Sequence, residues 1–502
     1  MNDIYKGGIQ DDKFALLYNV NSHVNVAVKT PVGKTKRGLI TNAIIQGDVF
    51  GPMLCGKQVD EIGKECLNDS KYSYKYKGEV DIPPLSMLDD LLCISKCGHE
   101  TAMVHSYIKC KTSSKKLQFG SSKCKKLHIG KTREEYKCQS LFIDSWKETE
   151  IENSETGTIE DYFDGEDIME EMEGERYLGD IIANDGRNIK NIHASVKKGT
   201  GIVRGILTML DGIPFGKYHF EAGVILRNSL LVSSMLFNSE AWYNVTKSEL
   251  ELLETVDVML LRGILNAPKS TPKEMLHLEL GLVPFREIIR KKRLHFLYYI
   301  LHESKDSMIH RFFESQRKKK TAKDWVTSIL NDIEELQLNL KIDDIRNMKK
   351  GEFRNLVKRK VEQNSLKEFE KTKARHSKTK CLKHPVLKMQ DYLMANNMKL
   401  RKEECQLIFK LRSKVTEVKV NMKNNYESYE CEACDYEEES QEHVLQCMEI
   451  TRIQKEDNEE MENLYEYEKI MNGNLKEKSW IAKTFDKRFK VIESIRRKKI
   501  RK

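Results

Sequence analysis

The sequence predicts an α+β protein, with a small antiparallel sheet and its helices first, a long helical region next, and a small zinc knuckle near the end. Three observations carry this expectation. Short apolar runs broken by turn residues fill positions 1–145, helical apolar spacing dominates after position 177, and Cys431, Cys434, His443 and Cys447 stand at metal-ligand spacing. A chain of 502 residues divides into several units that each bury a core. The expected order is a sheet-bearing unit over 1–145, an acidic linker over 146–176 and a helical unit over 177–310. A helical connector over 311–420, the knuckle over 421–455 and a charged, helical or disordered tail over 456–502 follow.

In the first unit, Leu16–Tyr18, Val24–Val28, Ile44–Val49, Leu85–Ile94 and Leu127–Gly130 look like strands, and Asp11-Asp12 like a polar turn. Between Thr41 and Lys64 the pattern passes from a strand through Gly51-Pro52 into a helix. Asp89-Asp90 interrupts an apolar stretch that runs from Leu85 to Ile94. Two apolar runs around a two-residue polar break predict a tight hairpin with both acids at its tip, close enough to share divalent cations. A solvated loop is the plain alternative for any adjacent acid pair. From Glu148 to Glu175 there are thirteen acids and no Lys or Arg, the pattern of a mobile linker.

The helical half opens after Tyr177–Ile182. Thr246-Lys247-Ser248-Glu249 is a capping box, and Leu252, Leu253, Val256, Met259, Leu260 and Ile264 behind it form an apolar face. Phe220–Trp242 carries Glu221, Arg227, Asn228 and Glu240, so it fits a buried helix better than a membrane span. A helix over Phe285–Leu301 sets Arg290, Lys291, Lys292 and Arg293 among Phe296, Tyr298 and Tyr299. Four consecutive cations cannot share one buried face, so they are candidates for nucleic-acid phosphates, with the aromatics as core or stacking platforms. Residues 324–420 look wholly helical, and Arg496–Lys502 looks like a disordered basic tail.

Cys431-x2-Cys434, His443 and Cys447 fill the four tetrahedral N/S positions of a structural zinc site, leaving none for catalysis. Zinc binding, worth on the order of 10–16 kcal/mol, explains how the acidic Asp435–Glu442 segment can fold. Twelve cysteines without a secretory leader argue for reduced thiols in the nucleus or cytoplasm, not for secretion. The thirteen linker acids set the formal charge of +9 against +22 on the remainder, a sign that favours polyanionic partners as well as solubility.

Taken in order over most of residues 35–450, these pieces resemble the reverse transcriptase of a non-LTR (LINE-type) retrotransposon. Gln46-Gly47-Asp48 with Gly51-Pro52 is similar to that family's template- and nucleotide-positioning segment, and Asp89-Asp90 to its metal-binding hairpin. Ser122-Lys123-Cys124 resembles the segment whose lysine protonates pyrophosphate, and Tyr177-Leu178-Gly179-Asp180 the primer-gripping hairpin. Phe237–Trp242 and Thr246–Leu265 fit the helical thumb, and the cysteine–histidine cluster fits the knuckle beyond the polymerase.

The resemblance implies a partial polymerase palm followed by a thumb. Asp89 would hold Mg2+ with Asp90 in support, Lys123 would act as general acid, Gln46 and Gly47 would line the nucleotide pocket, and Leu178 and Gly179 would steady the primer. The partners implied are an RNA template and an RNA–DNA hybrid or DNA primer. Met87 stands where the family usually has an aromatic, and nothing before Thr41 matches the strand that supplies the separate catalytic Asp. Two-metal transfer bridges its ions with carboxylates from two strands. The expectation is therefore an N-terminally shortened, weak or inactive polymerase, unless the missing palm segment is supplied in trans. Without chemistry, the chain would be a nucleic-acid-binding remnant.

Overall fold

The computed structural model describes residues 11–21, 24–27, 29–40, 51–88, 90–96, 98–115, 117, 124–127, 129, 170–171, 174–213, 216–319, 321, 323–375, 385–394, 400–422, 425–454, 469–470 and 473–500. Within them the protein is α+β and mostly helical, with several two-stranded sheets. The chain forms two compact units, one from 1–187 with 303–320 and one from 188–302 with 321–502.

The first unit is built from hairpins and two main helices. Val24–Val26 pairs with Gly38–Ile40, Tyr74–Tyr76 with Val80–Ile82, Leu85–Met87 with Asp90–Leu92, and Gly174–Tyr177 with Asp180–Ala183, all antiparallel. The helix Gly51–Asn68 begins at the expected Gly-Pro step and buries Val59, Ile62 and Cys66 along one face. The helix Gly98–Ser114 answers with Val104 and Ile108, and Tyr72 stacks on Tyr107 at 4.0 Å between ring centroids. Leu91 and Cys93, just past the acidic turn, pack against this core, so the hairpin is anchored from below. The segment 303–320 joins this unit through the helix Met308–Lys318, where Phe312 meets Tyr76.

Several sequence expectations change here. Leu16–Tyr18 lies inside the helix Asp11–Asn21, so Asp11 and Asp12 open a helix and do not form a free turn. The Gly174–Ala183 hairpin belongs with the first unit, not with the helical region after it.

The second unit has one continuous core, which runs from Ile192 to Ile492. Helices Ile189–Asp211 and Lys247–Leu265 pack side by side, and Gly263 makes the approach possible: a Cβ there would meet Leu207 Cδ2 at 2.5 Å. The capping box is present, with Glu249 N–H donating to Thr246 Oγ1 at 3.3 Å and Thr246 N–H to Glu249 Oε2 at 2.6 Å. Leu253, Val256, Leu260 and Ile264 are buried as expected, whereas Leu252 and Met259 remain exposed. Gly216–Leu226 runs on through a π-helical turn, Arg227–Val232, into Ser233–Met235. The described part of 324–420 is interrupted, with helices Trp325–Glu335, Ile342–Asn347, Lys350–Arg375 and Lys402–Arg412.

In the C-terminal segment the helical alternative holds. Leu475–Ile500 is one 26-residue helix that buries Ile481, Ala482, Phe485, Arg488 and Ile492 in the shared core. The stretch from Arg496, expected to be disordered, is thus helical to Ile500. Connector, knuckle and tail are parts of one unit because the apolar stripe of this helix needs the others to cover it.

Candidate functional site

The acidic hairpin forms with a one-residue shift from expectation. Met87 pairs with Asp90, so the turn is Leu88-Asp89 and Asp90 is the first residue of the return strand. Leu88 takes φ +61 and is exposed, and Asp90 is exposed beside it. Asp89 itself lies outside the described residues, as do Gln46, Gly47 and Lys123.

The second hairpin repeats this arrangement. Tyr177 pairs with Asp180 around Leu178-Gly179, whose φ values are +48 and +94. Positive φ at both central positions gives the twist that two-residue hairpins favour, and Gly179 takes it without the Cβ penalty that Leu178 carries. Asp90 of the first hairpin acts electrostatically on Tyr177 of the second. Burial raises the Tyr177 phenol above its ordinary pKa, and the negative charge of Asp90 pushes the same way.

The basic run at 290–293 is placed differently from expectation. Arg293 is buried and gives Asp332 two hydrogen bonds, of 2.7 and 2.8 Å. Arg290 is buried among Glu287, Asp332 and Glu335. Lys292 reaches Glu240 at 2.8 Å and is half-buried, as is Lys291. Arg290 and Arg293 therefore tie helices together and do not face phosphates. Arg290, Lys292 and Arg293 are accommodated because Glu240, Glu287, Asp332 and Glu335 neutralise them inside the unit.

At the centre of the same core lies a buried charge network that the sequence did not suggest. Arg227 holds both Asp257 oxygens at 2.6 Å, and its guanidinium lies 5.3 Å from the centre of the Phe285 ring. His277 faces two acceptors, with Nδ1 donating to the Lys273 carbonyl at 2.9 Å and Nε2 to Asp257 Oδ2 at 3.0 Å. Both ring nitrogens thus carry protons. Burial opposes the charged ring, but Asp257 outweighs it and the His277 pKa is raised. Burial also opposes ionisation of Asp257, yet Arg227 and His277 hold it at about 2. Glu254, Asp257 and His277 have ligand atoms within 4.8 Å of one another. With both imidazole protons committed, this cluster is a closed ion network and not a metal centre.

The second cluster is chemically different. One ligand atom from each of Cys431, Cys434, His443 and Cys447 lies within 4.8 Å of the others, a group that could hold a metal ion such as zinc. Cys431 N–H donates to the Glu437 carbonyl at 2.7 Å and Glu439 N–H to that of Tyr429 at 2.7 Å, which folds the knuckle back on itself. Asp435 at φ +52 closes the CxxC turn. Ser440 caps the helix Gln441–Gln446 by accepting from His443 N–H at 3.0 Å.

His443 Nδ1 donates to Glu437 Oε2 at 2.7 Å, and Nε2 stands 3.4 Å from Cys434 Sγ. Burial pushes the Cys431 thiol up to about 12, with Cys447 and Cys434 adding to the rise, so a thiolate here calls for a cation beside it. Three soft sulfur donors and one oriented imidazole fit such an ion. The four ligands were legible from spacing. Glu437 was not, because it sits in a run of three glutamates.

Among the described residues no helix is long and apolar enough to cross a membrane. Compared with protein-family models, curated proteins and solved structures, the chain matches none of them.

Proposed function

We propose that this chain is a non-LTR-type reverse-transcriptase protein that grips the primer end of an RNA–DNA hybrid between the two hairpins of its first unit. The observation that supports this reading most is that Asp90, which closes the Met87–Asp90 turn, lies near enough to the Tyr177–Asp180 turn for its charge to act on the Tyr177 phenol. These segments lie over eighty residues apart in sequence. A net charge of +9 favours a polyanionic partner.

In this reading Asp89 and Asp90 hold Mg2+, Lys123 protonates the departing pyrophosphate, Gln46 and Gly47 face the incoming nucleotide, and Leu178-Gly179 rests on the primer. Nucleotidyl transfer needs a carboxylate from another strand to bridge the second ion, and no residue matched to the family supplies it. The chain therefore binds its hybrid on its own and extends it only when a segment bearing that Asp is present.

Binding of a recessed RNA–DNA hybrid, titrated across salt, together with Mg2+-dependent primer extension, tests this proposal. Steeply salt-dependent binding with background extension is the expected result. Absent or salt-independent binding contradicts the proposal, and so does robust extension abolished by Asp89→Ala.

We propose zinc as the ion of the Cys3His cluster, since soft thiolates and imidazole in a tetrahedral set select it. Metal analysis of the intact protein should find one zinc, lost in Cys431→Ser. No zinc in the intact protein, with folding unchanged in the variant, contradicts this.

A further inference from the structure

We infer that the helix Leu475–Ile500 is a metal-dependent latch on the Cys3His knuckle, with Arg488 as the positioning residue that couples the two. This rests on the reading that the cluster holds zinc. The knuckle is then a docking module for a basic helix of the same chain and not a finger for nucleic acid.

Arg488 carries the coupling. Its side chain is fully buried and donates Nε–H to the Val444 carbonyl at 2.8 Å. Through one Nη it donates to the Cys447 carbonyl at 2.6 Å and to Thr451 Oγ1 at 3.2 Å. Val444 follows the ligand His443, and Cys447 is itself a ligand. One planar guanidinium therefore fixes the backbone at the ligand Cys447 and directly after the ligand His443, in a buried site where displaced acceptors would leave its charge unsolvated.

Charge supplies the second argument. From Glu427 to Glu442 the knuckle carries eight acids and no Lys or Arg, so it repels both itself and any phosphate. The end of the helix answers that charge. Arg496 pairs with the fully buried Glu439, and its guanidinium lies 5.1 Å from the Tyr426 ring centre and 5.6 Å from that of Phe489. Lys499 reaches Glu432 at 2.9 Å and Asp435 at 3.2 Å, the residues that directly follow Cys431 and Cys434. These acids are presented by the turn that the metal closes. Removing the ion frees the turn, and the helix loses its carboxylate partners and the carbonyls that hold Arg488.

The test is hydrogen exchange on the full chain, first with its metal content measured and then after chelation. Expected is exchange at least about tenfold faster in 475–500 together with 429–447, while 189–265 keeps its protection, as a local opening requires. Arg488→Lys should weaken zinc affinity about 10–100-fold in competition with a chelating dye, the range for groups that orient ligands. Lys499→Glu, which leaves the core untouched, should speed exchange in the last turns of the helix with zinc still bound. Zinc present but 475–500 unchanged on chelation overturns the latch alone. Equal loss of protection in 189–265, or unaltered exchange in Lys499→Glu, also overturns it. A chain that holds no zinc overturns the zinc reading and the latch together.

Discussion

Glu437 accepts the Nδ1 proton of His443 across 2.7 Å, which leaves Nε2 as the lone pair facing the thiols. That carboxylate fixes the tautomer and the ring orientation before any ion arrives. Glu437→Ala should therefore weaken metal affinity by about 10–100-fold while the three cysteines still bind. Competition against a chelating dye measures it, and affinity equal to the parent's would show that the contact is incidental.

Asp257 is wholly buried between Arg227 and His277. Asp257→Asn removes the negative charge that both cations touch directly, and Asn presents one acceptor where two were used. The expected loss is about 3–5 kcal/mol of stability, the range for breaking a buried pair from one side. Urea unfolding of the second unit reads this directly, and a loss within that of a surface substitution would argue that the network is slack.

The same network sets a pH dependence. His277 is raised above its ordinary 6.5, so the protonated ring contributes fully below pH 6.5 and its contribution is lost as pH rises through the higher folded value. Asp257 is lowered from 3.8 to about 2, so its contribution is complete above pH 3.8 and is lost as pH falls through about 2. Burial raises Glu254 from its ordinary 4.5, which makes its ionised form a further cost as pH increases. The stability margin of the parent over His277→Gln should be largest between about pH 4 and 6.5 and shrink at higher pH. A margin that grows with pH would reverse the assignment of charge to His277.

Arg293 serves the fold through Asp332, thirty-nine residues away. Arg293→Ala should destabilise the second unit by about 3–5 kcal/mol, because buried Asp332 loses both of its short hydrogen bonds and keeps only Arg290 at 3.6 Å. The salt slope of hybrid binding should stay unchanged in the fraction that folds. A slope reduced by about one unit would restore Arg293 as a phosphate contact.

What could be read from the sequence follows the range of the interaction that decides it. The Thr246–Glu249 capping box, the Gly51-Pro52 helix start and the Cys431–Cys447 cluster depend on residues a few positions apart, and each is present. The hairpin at Asp90 was also legible, but not its register: apolar runs bracket a turn without saying which acid pairs with Met87. Arg290 and Arg293 looked like an exposed patch because Asp332, the acid they share, comes from another helix. The sequence leaves the segment Leu475–Ile500 between helix and disorder because its charge is conspicuous, whereas the stripe Ile481, Phe485 and Ile492 gains meaning only against the knuckle and the helix Lys402–Arg412. Arg227 and Asp257, thirty residues apart, gave no local sign at all.

The most direct test of the account is to place a photoreactive base at the 3′ end of a DNA primer, annealed to RNA, and to map its crosslinks on the intact chain. The account predicts crosslinks within 85–92 and 174–183, reduced when Leu178 and Gly179 are replaced together. Crosslinks confined to the second unit, or none at saturating hybrid, would contradict it.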